Sequence, residues 1–187
     1  MHAFLVSAVV IFIAELGDKS QLVALTFASR FRAWKVLVAV TLATAVVHLL
    51  SVAVGVVIGG ALPLRWIQLL SGLSFLAFAI WTLHGDQVDD EPRISRAGWV
   101  VIPAIAASFL VSELGDKTMF ATIVLASSEG WFGTWFGSTL GMVAADAAAI
   151  LVGAWLGTKL PERAVRYGAA SLFVVFGAIS LVQSVRG

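Results

Sequence analysis

The hexapeptide Glu15-Leu16-Gly17-Asp18-Lys19-Ser20 returns 98 residues later as Glu113-Leu114-Gly115-Asp116-Lys117-Thr118, and both copies lie inside long apolar runs. Five positions are identical and the sixth exchanges Ser for Thr. Charges placed there are costly: each is disfavoured by roughly 2.5–3.5 kcal/mol at a bilayer centre, and six summed naively come to about 15–20 kcal/mol. Ionisable clusters in such surroundings are a functional-site hypothesis by default. Two matching clusters suggest one shared site at an interface between repeats.

The repeat extends beyond the motif. Adding 98 carries Thr41-Leu42 onto Thr139-Leu140, Gly55 onto Gly153, Gly59 onto Gly157, Pro63 onto Pro161 and Arg65 onto Arg163, with no gap. Six segments approach or exceed the roughly 20 apolar residues that a span needs: Ala3–Phe27, Val36–Gly60, Trp66–Leu83, Trp99–Ala126, Phe132–Leu156 and Ala164–Val182. The expected fold is therefore an all-α integral membrane protein, six transmembrane helices arranged as two inverted three-helix repeats. Residues 1–85 form the first repeat, 86–97 an acidic linker and 98–187 the second repeat. An odd number of crossings per unit is what inverts the second copy.

Composition agrees. Of the 187 residues 60% are hydrophobic and 12% charged, against about 25% charged in a soluble domain. The lipid bilayer is thus the first partner. No basic tract offers a grip on nucleic acid, and the absence of cysteine excludes disulfides, thiolate metal sites and CxxC redox chemistry. Met1-His2-Ala3-Phe4 runs into the first apolar segment without a basic region or cleavage site, so no removable signal peptide is expected. With the N-terminus outside, Arg30, Arg32, Lys35, Arg93, Arg96, Lys159, Arg163 and Arg166 fall on the cytoplasmic side, leaving Arg65 and Arg186 outside. Both termini are therefore expected outside and the linker in the cytoplasm. Asp86, Asp89, Asp90 and Glu91 read as a solvated part of that linker.

Small residues recur at every fourth position in the fifth span, from Gly133 through Gly137, Gly141, Ala145, Ala149 and Gly153 to Gly157, and Ala39, Ala43, Ser51, Gly55 and Gly59 match them in the second. These ridges should pack the second and fifth helices closely against the motif-bearing ones. On a continuous helix, Glu15, Asp18 and Lys19 would share one side, as would Glu113, Asp116 and Lys117, and the two motifs should meet near the midplane. Gly17 and Gly115 would clear room for helix contact or for a ligand against backbone.

Four carboxylates against two lysines leave an acid surplus that suits either one divalent cation or bound protons, two states that exclude each other. Such competition is the minimum machinery of an antiporter, provided the site opens to one side at a time. Oxygen donors, with help from Ser20, Gln21 and Thr118, favour hard cations such as calcium, magnesium or manganese. His48 and Asp146 hold equivalent places in the two repeats and form a second polar pair, a proton relay or outer ligand shell. For His48 a hydrogen bond to a neighbouring carbonyl is an equal alternative. The plain alternative for the motifs is that their acids and lysines neutralise one another and pin two helices together.

Glu-x-Gly-Asp-Lys/Arg-Ser/Thr, twice in a small six-span chain, resembles the hallmark of a family of cation/proton exchangers. It includes bacterial manganese exporters, Golgi manganese and calcium transporters and chloroplast manganese transporters. The resemblance covers essentially the whole chain. It implies a secondary transporter that exchanges Mn²⁺, or Ca²⁺, for protons, with no permanently bound cofactor. Glu15, Asp18, Glu113 and Asp116 would bind the ion, and Lys19, Ser20, Lys117 and Thr118 complete the motifs. Symmetry fails where Gln21 faces Met119 and His48 faces Asp146, so the repeats need not contribute equally. Nothing resembles the organelle-targeting extension of the eukaryotic members, which points to a bacterial cytoplasmic membrane. A passive channel and a non-transporting subunit are the alternatives. An enzyme finds no support in a nucleophile–base pair or cofactor fingerprint, an amino-acid exporter matches the duplicated acids poorly, and a homo-oligomer stays open.

Overall fold

In lipid a chain must satisfy its own backbone polar groups, and the described residues of this one do so with helices. The computed structural model describes residues 1–16, 18–84, 101–156 and 162–186. Their elements are α1 (His2–Glu15), α2 (Lys19–Arg30), α3 (Ala33–Ala61), α4 (Leu64–His84), α5 (Val101–Glu113), α6 (Lys117–Ser128), α7 (Trp131–Leu156) and α8 (Glu162–Arg186). Within these, Ala33–Ala61, Leu64–Leu83 and Trp131–Leu151 are each long and apolar enough to cross a membrane alone. The expected linker 86–97 and the Leu160-Pro161 break lie outside the described residues.

The expected first and fourth spans are not single helices. Each is split at its motif, α1 from α2 and α5 from α6, so the predicted stacking of Glu, Asp and Lys along one continuous face does not occur. The break is tight. The Asp18 N–H donates to the Glu15 carbonyl at 3.1 Å and the Asp116 N–H to the Glu113 carbonyl at 3.2 Å, three residues back where a helix would reach four. Gly115 takes φ +82°, the left-handed conformation that ends helices. A methyl group built on it meets nothing within 4 Å, so this glycine supplies a backbone conformation and not the close approach expected from the sequence. Gly115→Ala should consequently lower stability by about 1–2 kcal/mol through backbone strain alone, which thermal unfolding in detergent would measure.

Packing runs chiefly between the two halves of the chain. The largest contacts join α1 to α7, α4 to α8, and α3 to α5 and α6. The small-residue ridges lie in these seams, as expected. A methyl added at Gly137 or Gly141 of α7 would fall on the Phe4 or Ala8 carbonyl of α1, and one at Gly55 or Gly59 of α3 on the Ile123 or Ser127 carbonyl of α6. Positions 98 apart also touch. The Thr44 hydroxyl donates to Met142 Sδ at 3.4 Å, and the rings of Phe75 and Phe173 stack with centroids 6.1 Å apart. Phe75–Phe176 and Phe78–Phe173, which exchange places under the same shift, lie at 6.0 and 5.9 Å. Ile11, Val40, Ile105, Phe109 and Met142 fill the core between these seams.

Candidate cation-binding site

Breaking each motif helix places its acids on two helix ends. Glu15 and Glu113 are the last residues of α1 and α5, whereas Asp116 caps the start of α6 and Asp18 immediately precedes α2. A helix C-terminus carries partial negative charge and outward carbonyls, so each glutamate adds to a field that already attracts cations. Discontinuous membrane helices use such ends to coordinate transported cations.

The halves bring these ends together. Glu113, Asp18, Asp146 and Asp116 all act electrostatically on Glu15, and Asp116, Asp18 and Asp146 act on Glu113. All five carboxylates are buried, none more than 2% exposed. Each glutamate is held by a hydroxyl from across its own break. Ser20 Oγ donates to Glu15 Oε1, and Thr118 Oγ1 donates to Glu113 Oε2 at 3.1 Å. The other oxygens, Glu15 Oε2 and Glu113 Oε1, have no hydrogen-bond partner among the described residues. Ser20 and Thr118, read from sequence as helpers toward a metal, thus make their contact to the glutamates.

An ion pair crosses between motifs: Lys117 Nζ lies 2.8 Å from Asp18 Oδ2, both groups almost wholly buried. Its counterpart under the repeat would join Lys19 to Asp116, but the Lys19 side chain lies outside the described residues. Gln21, also expected near the ion, donates through Nε2 to the Ala145 carbonyl at 3.1 Å and so ties α2 to α7 beside Asp146. Met119, its repeat partner, instead accepts the Gly115 N–H at 3.2 Å within its own motif. Both oxygens of Asp146 lack a hydrogen-bond partner among the described residues. His48 is fully buried on α3, and neither ring nitrogen finds such a partner, so the alternative of a bond to a carbonyl is not met among the described residues. Among the described residues no three histidine or acidic side chains are gathered closely enough to grip a metal ion, and Asp18 is already engaged by Lys117.

The sequence contained a signal for the break that a continuous-helix reading passes over. Glycine followed by Asp and Lys-Ser/Thr is a helix stop joined to an N-cap-type start. The pairing of Lys117 with the first half's Asp18 had no such signal, because it depends on how the halves face each other.

The profile of the family described as divalent cation/proton antiporter GDT1 matches residues 3–90 and 101–187. The chain belongs to this family. Among its GDT1-family relatives, a candidate manganese exporter of Vibrio cholerae is 36% identical over 181 residues, covering 94% of this chain and 88% of the relative. A GDT1-like protein of Synechocystis is 30% identical over 202 residues, covering 96% and 97%. The chloroplastic protein PAM71 of Arabidopsis thaliana is 31% identical over 206 residues, covering 94% of this chain and 55% of that longer protein. No solved structure matches the chain. Transport and not catalysis is what the family description and the Vibrio relative's name share.

Proposed function

We propose that this chain is a proton-coupled exporter of divalent cations, Mn²⁺ first and Ca²⁺ second, in a bacterial cytoplasmic membrane. It crosses as two inverted three-helix repeats, residues 1–85 and 98–187, with linker 86–97 in the cytoplasm and both termini outside. The observation that carries the reading is the pair of buried glutamates, one from each half. Each has one oxygen fixed by a hydroxyl and another without a hydrogen-bond partner among the described residues, and both share the field of Asp18, Asp116 and Asp146. Such a set is compensated by a cation or by protons, which makes the two exchangeable.

The name of the Vibrio relative supports manganese as cargo. Inversion is supported by the touching positions 98 apart and by family matches that begin at residues 3 and 101. Exchange is supported energetically. Moving two charges outward against an inside-negative potential costs about 4.6 kcal/mol per 100 mV, which proton entry offsets. The Lys117–Asp18 pair favours one other reading, in which the motifs serve only to hold the halves together.

Reconstituted vesicles with an acidic interior separate these readings. Mn²⁺ uptake should be accompanied by proton release and should exceed Ca²⁺ uptake, with Mg²⁺ slowest. Uptake that runs without proton movement would mark a channel. No uptake of any of the three would leave the packing role.

A further inference from the structure

The Lys117–Asp18 pair is unusual in position as well as in burial. The ammonium is 4% and the carboxylate 0% exposed, and the two come from different halves, each beside a helix break. Lys117 opens α6, where the helix dipole disfavours a cation, so the ammonium is held there against its local field by an acid of the other half. Its backbone follows Gly115, which takes a left-handed φ of +82° with open space around its Cα.

We propose that Lys117 is a tethered counter-cation that occupies Asp18 when the substrate metal does not, so that a divalent ion gains this carboxylate only by displacing the ammonium. The inference rests on the transport reading and adds to it. A carboxylate oxygen 2.8 Å from an ammonium cannot also take a divalent ion at about 2.0–2.6 Å without crowding two cations into a dry site. Lysine suits displacement because it is a point charge on a flexible stem, with no rigid fork to hold the acid in two places. After metal release the ammonium returns to Asp18. Metal occupancy is thereby coupled to an exchange of partners between the two halves.

The test is Mn²⁺ titration of the purified full-length protein, read by the electron paramagnetic resonance of free Mn²⁺. Lys117→Met should tighten binding about tenfold or more, within the usual 5–150-fold range of a coupling between sites. Lys117→Arg, whose fork can hold the carboxylate at two points, should bind Mn²⁺ no more tightly than the parent. In an Asp18→Asn background the Lys117→Met change should shift affinity less than about twofold, because the carboxylate for which ammonium and metal compete is already gone. In vesicles, Lys117→Met should slow net proton-driven Mn²⁺ flux. If the methionine variant does not fold, Lys117→Gln carries the same expectations. Unchanged or weaker binding by a folded neutral variant overturns the proposal, as does equal tightening in the Asp18→Asn background. A parent protein that binds none of Mn²⁺, Ca²⁺ or Mg²⁺ overturns the transport reading together with this one, whereas a binding parent with an unmoved variant overturns this one alone.

Discussion

Glu15→Gln and Glu113→Gln, made singly, are each expected to abolish proton-coupled Mn²⁺ movement while the protein still folds. Outer-shell partners of metal ligands cost about 10–100-fold when lost, so a carboxylate that meets the ion should cost at least a hundredfold. Folding should survive because neither glutamate belongs to the Lys117 ion pair, and a glutamine carbonyl can still accept the hydroxyl of Ser20 or Thr118. Replacing one of five crowded carboxylates by a neutral amide also relieves repulsion within the cluster. Asp18→Asn alone is the less discriminating variant, since it strands a buried lysine and breaking such a pair costs about 3–5 kcal/mol whatever the function. Flux and thermal unfolding measured on the same preparations decide the matter. Parental flux in either glutamine variant would remove that glutamate from the site, and loss of flux in step with loss of fold would favour the packing role.

Gly141→Leu should be severely damaging. Even a methyl group there would land on the Ala8 carbonyl, so an isobutyl group must force α1 and α7 apart along their main seam. Overpacking of this kind costs about 1–3 kcal/mol where neighbours can shift, and more when the obstacle is backbone. The expected result is a protein that unfolds well below the parent or fails to accumulate. Gly168→Ala is the matched control. Nothing lies within 4 Å of its added methyl, and removing glycine from a helix interior should raise stability by about 0.5–1 kcal/mol. If both variants melt together, the close approach of α1 and α7 is not what the glycine ridge provides.

Much of the architecture was legible because lipid simplifies the rules. Long apolar runs had to become helices, and the four-residue spacing of small side chains identified the seams before any contact was known. The acids were legible for a related reason: charge in such a setting is too costly to be incidental. Periodicity misled at the motifs, where apolar residues on both sides of Gly17-Asp18 and Gly115-Asp116 read as one span although the backbone turns at that point. The partner of Lys117 was legible only within the alternative that the motif acids and lysines pair and pin two helices together. An intrahelical reading offered Glu113 four residues back, whereas the observed partner is Asp18 in the other half, chosen by tertiary packing and not by spacing. Asp146 was recognisable as expensive but not as a neighbour of Glu15, for the same reason.

The chief seams of the molecule join early helices to late ones, and this has a consequence for biogenesis. Lys117 is 99 residues behind Asp18, a lag of about 5–20 s at a translation rate of 5–20 residues per second. While the ribosome is still delivering the second half, α1 waits in the translocon's surroundings without α7, and Asp18, just before α2, waits without Lys117. Chains truncated before α7 should therefore be recognised as orphans by membrane proteases, and the two halves made as separate polypeptides should survive only when synthesised together.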